Sequence, residues 1–365
     1  MNRHSCRPLS VAVLSLALAC IRPAAADDAS QGQSIWQPAP YSLGQGLYFP
    51  GVGLRVGGYA DFNFYSVQGT KTSYNVRDLS LFLTQDIGTR WQLFAEIEAS
   101  NPVNSTGRTD VDNAEIDIER LYADYHATPY INFRVGKFLT PVGEWNLVHA
   151  DPLTWTVSRP LSTSAAFARH ANGAMMFGTV PVHGNDLEYW VFADDSKDLS
   201  IGRDQDNAYT NFGTTETLQN NFRQAVGGRV LYHMLDDSLT VGASALNYEL
   251  ESPRQKYFLS GIDFSWTTRY VDFTGEAIYR SSADHIPDER GGFVQAEVPV
   301  WRRLYFIERY ERYRSSATAQ TSTIRTTALN FKPTEGVVLK VEYRDGSHNE
   351  VLAPTGWLAS VAVLF

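Results

Sequence analysis

The chain has 365 residues, 43% hydrophobic and 13% aromatic, and its 31 Lys and Arg against 40 Asp and Glu give a formal charge of −9. An acidic balance lacks the basic footprint of a nucleic-acid binder. Two cysteines, Cys6 and Cys20, are too few for a disulfide-stapled scaffold.

Residues 1–26 read as an export signal. Arg3 and Arg7 form a positive leader, Leu9 to Ala19 an apolar core too short to span a bilayer, and Ala24-Ala25-Ala26 before Asp27 a small-residue cleavage site. The alternatives are an uncleaved anchor, against which Arg22 and Pro23 interrupt the apolar run, and a lipoprotein acylated at Cys20, against which Ala17 stands where Leu is usual. Cleavage removes both cysteines and three arginines but no acid, which moves the balance from −9 to −12. The expected organisation is a signal over 1–26, an N-terminal segment over 27–51 and one further domain over 52–365.

From Val52 onward the pattern has period two, the sign of strands. In LRVGGYADFNFY, Leu54, Val56, Gly58, Ala60, Phe62 and Phe64 oppose Arg55, Gly57, Tyr59, Asp61, Asn63 and Tyr65. WQLFAEIEA, VVLKVEYR and the terminal WLASVAVLF alternate in the same way. Strands are expected near 52–65, 76–85, 91–99, 116–126, 131–138, 173–180, 187–194, 223–234, 239–249, 257–266, 270–280, 292–299, 303–313, 324–332, 337–344 and 357–365. Two stretches break the alternation. Ile116 and Ile118 are out of phase with Leu121 and Ala123, and FIERYERYR carries charge on both faces; both are read as bulges or slips.

A soluble sandwich could show the same alternation. The connections discriminate, because short joins such as DIGTR, TPY and PTEG follow even-numbered strands and long ones follow odd strands. Outer-membrane barrels have that rhythm, with short periplasmic turns, long extracellular loops and an even strand count. The expected fold is therefore all-β, a transmembrane antiparallel β-barrel of about 16 strands. Its last strand closes on the first, and Phe365 sits in the interfacial aromatic girdle.

Between Thr140 and Asn172 the chain does not read as a strand. Pro141, Pro152 and Pro160 forbid a ladder there, and Trp145, Leu147, Leu153 and Trp155 are too apolar to stand in water. The segment is expected to fold inward; packing on a neighbouring subunit is the alternative. VGKFLTPVGEWN (Val135 to Asn146) and ALNFKPTEGVVLKVEYR (Ala328 to Arg344) resemble stretches of the porin superfamily, in the branch that includes phosphate-selective and dicarboxylate-type porins. That resemblance implies a homotrimeric diffusion pore in outer-membrane lipid, with a third extracellular loop, here Glu144 to Asn172, folded into the lumen as a constriction. The chain departs from the lysine-rich pore of phosphate-selective members, since Lys71, Lys137, Lys197, Lys256, Lys332 and Lys340 are all it has after residue 26.

The histidines form no H-E-x-x-H pair and no G-x-S-x-G elbow is present, so neither a zinc site nor a serine nucleophile is indicated. No cofactor is expected. A barrel hydrolase, with His149, Asp151 and His170 in a cleft, and a structural or adhesive barrel are the competing classes. Inward parity gives Arg55, Asp61, Glu96, Glu98, Arg134, Arg229, Asp272, Glu276, Arg280, Lys340, Glu342 and Arg344, a mixed charged face suited to a hydrated channel for small hydrophilic solutes. To these the inward segment adds Glu144, His149, Asp151, Arg159, Arg169 and His170. Because field lines focus in a constriction, Arg159 and Arg169 are expected to give a mild anion preference for phosphate or carboxylates. The alternative is an unselective pore in which both arginines pair with acids.

Overall fold

The computed structural model describes residues 35–104, 115–148, 150–164, 166–196, 221–251, 254–283, 286–316, 320–348 and 352–365. The expected signal, His149 and the middle of the loop from Ser196 to Asn221 lie outside them. A three-residue strand, β1 (Leu47–Phe49), precedes sixteen longer ones. These are β2 (Leu54–Val67), β3 (Ser73–Ile87), β4 (Trp91–Asn104), β5 (Glu115–His126), β6 (Asn132–Leu139), β7 (His170–Val182), β8 (Asn185–Asp194) and β9 (Phe222–Met234). They continue as β10 (Leu239–Leu250), β11 (Lys256–Thr267), β12 (Asp272–Ser282), β13 (Glu289–Trp301), β14 (Leu304–Arg314), β15 (Thr321–Thr334), β16 (Val337–Ser347) and β17 (Gly356–Leu364).

Each long strand pairs antiparallel with its sequence neighbours, and β17 closes the ring on β2 through Ala359↔Phe64 and Val361↔Phe62. The barrel thus has sixteen staves and no free edge, the condition for strands to cross hydrocarbon. Short turns such as 183–184, 302–303 and 335–336 lie at one rim, and the longer joins 140–169 and 195–221 at the other. By the usual asymmetry the first rim is periplasmic. There Phe365 extends the closing seam: its N–H donates to the Gly58 carbonyl and its carbonyl accepts from the Gly58 N–H, each at 2.8 Å. β1 adds a short ladder beside them, Leu47↔Val56 to Phe49↔Leu54.

Alternation decides which side chains meet lipid. Ile97's neighbours on β5, Ile116, Ile118 and Leu121, are all exposed on the outer wall, as are Val135, Val230, Ile262 and Val361. Aromatic pairs flank this apolar band, Trp91 with Tyr125 near the periplasmic turns and Tyr343 with Trp357 nearer the loops. The phase slip in β5 is a bulge: Glu96 pairs with Arg120 and Ile97 with Ile118, so Glu119 is the extra residue and turns inward beside Arg120. A second bulge, between Val76 and Asp78, sets Arg77 and Asp78 opposite Asp61.

The expectation of a slip in FIERYERYR is corrected. β14 pairs with β15 in unbroken register from Leu304↔Phe331 to Arg314↔Thr321. Ile307, Arg309, Glu311 and Tyr313 are buried inside, while Glu308, Tyr310 and Arg312 face outward. Charge on both faces arises here because Glu308 finds an outward partner, Arg325 of β15.

Candidate functional site

The lumen is shaped by residues 140–169. Proline at 141, 152 and 160 keeps the segment from continuing a ladder, and it folds as turns, a 3-10 turn over Asp151–Leu153 and a four-residue helix over Leu161–Ser164. Its apolar residues Val142, Leu161, Ala166, Phe167 and Ala168 join Phe138, Phe192, Leu246, Ile278 and Ile324 from the inner wall in one buried cluster. Burial of this kind contributes roughly 1.5–3 kcal/mol for each large side chain, which holds the segment inside the barrel rather than in solvent. The strand β7 begins at His170, so His170 to Asn172 belong to the wall and not to the loop.

Inward charges of β12 to β17 receive the loop backbone. Glu276 accepts from the N–H groups of Glu144 (2.8 Å) and Trp145 (2.6 Å). Gly143 makes this approach possible: its φ of +64° suits glycine, and a Cβ there would strike the Glu276 carboxylate. Glu342 accepts from Val157 (2.7 Å) and Ser158 (3.1 Å), and Glu311 from Leu161. Arg309 donates to Thr156 Oγ1 and Ser158 Oγ, both at 2.7 Å, and Arg344 lies in the field of Glu311 and Glu342. Lys340 donates to the Asp151 carbonyl (2.6 Å) and Thr154 Oγ1 (2.8 Å), with its ammonium 3.2 Å from the Asp151 carboxylate. Ser360 donates to the same carboxylate, and Arg77 stands 3.8 Å away. Burial would raise the Asp151 carboxyl, but Lys340 and Arg77 outweigh it and hold the group below its ordinary range. Glu144 is the reverse case, pushed up by burial against the opposing charge of Arg229.

The wall of β2 to β9 is differently furnished. Inward rings run across it, Tyr59 to Phe82 (5.7 Å), Phe82 to Phe94 (6.0 Å) and Phe94 to Tyr122 (5.1 Å). Arginines lie over them, Arg120 at 4.6 Å from the Phe94 centroid, Arg134 at 3.8 Å from Tyr122 and Arg229 at 5.6 Å from Trp190. Each has an acid: Arg120 with Glu96, Arg134 forked onto Asp124 at 2.7 and 2.8 Å, and Arg229 with Asp263.

The sequence-derived positions therefore separate into groups. Glu276, Lys340, Glu342 and Arg344 hold the loop, and Arg280 joins them through the Ala166 carbonyl (3.0 Å) while pairing with Glu289. Arg134, Arg229, Asp61 and Glu96 lie in the ion pairs of the other wall, and Glu98 accepts from Tyr59 (3.2 Å) and Ser80 (3.1 Å). Arg169 and His170 are brought together on one bulge acid, 3.3 and 3.1 Å from Glu119. Arg159 is half-buried in the loop, next to the docked Ser158. Asp272 is half-buried at the periplasmic end of β12. Arg55 is set apart: it is exposed, donates to the Gln45 carbonyl (3.0 Å) and covers the Tyr48 ring.

Parity missed Arg77, Arg120, Asp263, Arg309 and Glu311. Val76 and Leu79 carry the same phase slip as Ile118 and Leu121, a readable sign that Arg77 turns inward. Asp263 lies between the outward Ile262 and Phe264 and needed only the alternation.

The chain matches the family described as phosphate-selective porin O and P over residues 52–231. It is 22% identical over 340 residues to an uncharacterized protein of Aquifex aeolicus, covering 80% of this chain and 75% of that one. Among solved structures it resembles an anion-selective porin from Comamonas acidovorans (TM-score 0.57, 14% identity, 85% of this chain and 98% of that one). It also resembles OmpT of Vibrio cholerae folded in vitro, in its trimer form (TM-score 0.55, 9% identity, 86% and 99%). At these identities the structural likenesses establish the fold, a closed antiparallel barrel with an inward loop. With the family match over nearly all of β2 to β9, they place the protein in the outer membrane of a Gram-negative-type bacterium as a channel: the chain belongs to the outer-membrane porin superfamily.

Proposed function

We propose that this porin passes small hydrophilic solutes with a mild preference for anions such as carboxylates or phosphate. The observation that carries this reading is the orientation of three ion pairs. Exposure is 19% for Arg120 against 0% for Glu96, 23% for Arg134 against 4% for Asp124, and 21% for Arg169 against 5% for Glu119. In each the carboxylate lies behind and the guanidinium in front. A passing ion meets the positive end of each pair first, and guanidinium stays charged at any working pH. The pairs are neutral overall, so the preference is mild rather than strict.

This lumen face is the pore lining, in which a solute meets Arg134 and Arg169, while Asp61, Glu96, Glu98 and Arg229 are buried behind it. The loop-bound set of Glu276, Lys340 and Glu342 instead fixes its width. The test is the reversal potential of purified channels in a planar bilayer under a salt gradient. Anion preference is expected, and a potential at or on the cation side of zero would overturn the reading. The Vibrio cholerae relative has a trimer form, and the same assembly is proposed here. Crosslinking in native membranes is expected to yield a ladder ending at three. The leader over 1–26, the periplasmic segment over 27–51 and the barrel over 52–365 complete the proposal; the mature N-terminus by mass is expected at Asp27.

A further inference from the structure

Between the inward loop and the wall at β12 and β13 lies a cavity of about 90 Å³, lined by Trp145, Trp155, Phe293 and Leu153 together with two acids, Glu144 and Glu276. Leu153 is 55% exposed, which leaves the cavity open to the lumen. The acids are not paired off. The half-buried Glu144 makes no hydrogen bond or ion pair through its carboxylate among the described residues. Glu276 is 8% exposed; its Oε1 takes the N–H groups of Glu144 and Trp145, and its Oε2 has neither a hydrogen bond nor a counter-cation among the described residues. The cation whose field reaches both acids is Arg229, and it is committed to Asp263. Burying carboxylates is costly unless a cation faces them. Elsewhere in the lumen one does: Lys340 meets Asp151, Arg120 meets Glu96 and Arg134 meets Asp124.

The lining selects the kind of cation. Indole faces attract cations, and both do so here, with Arg309 at 5.6 Å from the Trp145 centroid and Lys332 at 3.8 Å from that of Trp155. A hard metal ion asks for six or more oxygens, which a lining of two indoles, a phenyl ring and a leucine does not supply. A primary ammonium asks only for acceptors for its three N–H donors and an apolar bed for its first carbons. The volume equals about three waters' share of the liquid, room for an ammonium head and a short alkyl stem. From this geometry we infer that the cavity is a subsite for the primary ammonium group of a small amine or amino acid in transit. The ammonium donates to the Glu144 carboxylate and to Glu276 Oε2, and the stem lies along Trp155 and Leu153. The subsite stands apart from the arginine-fronted pairs of β4 to β7, so it does not depend on the sign of the channel's ion preference.

The test is a calorimetric titration of the folded barrel in detergent at neutral pH with propylammonium chloride, with tetramethylammonium and calcium chlorides as comparison arms. Saturable binding of propylammonium is expected, about tenfold or more tighter than tetramethylammonium, which has no N–H to donate. Current through single channels should fall as the same amine is raised. Glu144→Gln should weaken binding by about tenfold or more, because it removes the charged acceptor, and Glu144→Asp, which keeps the charge, should weaken it less. Should Glu144→Gln not fold, Val148→Trp keeps both acids while filling the cavity that Val148 also lines, and should abolish binding. Absence of saturable propylammonium binding would overturn the proposal, as would unchanged affinity in Glu144→Gln or in Val148→Trp. Calcium binding as tightly as the amine would assign the acids to a metal ion, and tetramethylammonium binding equally would reduce the effect to diffuse charge; either would overturn it as well.

Discussion

The two walls of the lumen are built from the same inward alternation of charge, yet they do different work. On β12 to β17 the charged groups are sealed: Arg309, Glu342 and Arg344 are 0% exposed, and the partners of Arg309 and Glu342 lie in the loop far along the chain. On β2 to β7 the groups pair with neighbours across one strand gap and keep their arginine ends open. Covering a charge with backbone donors converts it from a selectivity element into an anchor. A charge left uncovered remains visible to ions.

The sharpest way to break this comparison is to remove an anchor. In Lys340→Met the Asp151 carbonyl and Thr154 lose their donor, and the buried Asp151 carboxylate loses its nearest cation. Removing one partner of a buried ion pair costs about 3–5 kcal/mol. The expected outcome is a lower unfolding temperature of the heat-modifiable band and, in surviving channels, larger and noisier conductance as the loop leaves the lumen. Unchanged conductance would mean the apolar cluster alone keeps the loop in place.

Acid should act on the same anchor without a mutation. Because Asp151 is held below its ordinary value, its contribution is fully present above the unfolded value, about 3.9, and is lost only as the pH falls through the lower folded one. Glu144 runs the other way: burial raises it, so its charging works against loop packing as pH rises through its folded value. Steady currents are therefore expected down to about pH 4, with loop noise beginning below it. Noise that set in well above that range on acidification would mean that Asp151 is not the latch, whereas Glu144 would announce itself by noise as the pH rises.

On the open wall the effects should be smaller and concern selectivity. Arg134→Gln strips the front of its pair and leaves Asp124, so anion preference should fall by up to about fivefold, from the roughly 0.2–1 kcal/mol of a partly exposed pair. Adding Asp124→Asn should restore part of that preference, since it removes the newly exposed negative charge. A reversal potential that moves equally in the single and double variants would show that Asp124 is not felt by ions.

The sixteen staves were legible because parity and turn length are local, and even the β5 bulge could be seen in the slip between Ile118 and Leu121. The division of labour was not. Parity places Glu276 and Glu96 on the same face with equal right, and nothing within either strand tells that Gly143 brings two N–H groups to the first. The β14 segment misled for a related reason. Glu308 looked like a break in pattern, when its outward position is stabilised by Arg325 on the next strand, a partner 17 residues away.

Arg169→Gln tests whether an uncovered charge acts alone or through the acid behind it. Arg169 is about as open as Arg134, but its acid differs: Glu119 is also approached by His170 Nε2 at 3.1 Å, whereas Asp124 has its two hydrogen bonds from Arg134 alone. Losing Arg169 therefore removes one positive end while Glu119 stays tethered and buried. The shift in reversal potential should be toward cations but smaller than in Arg134→Gln, measured side by side at neutral pH. Equal shifts in the two variants would mean that His170 does not restrain Glu119, and a combined Arg169→Gln/His170→Phe variant, which removes both of these neighbours, should then move the potential no further.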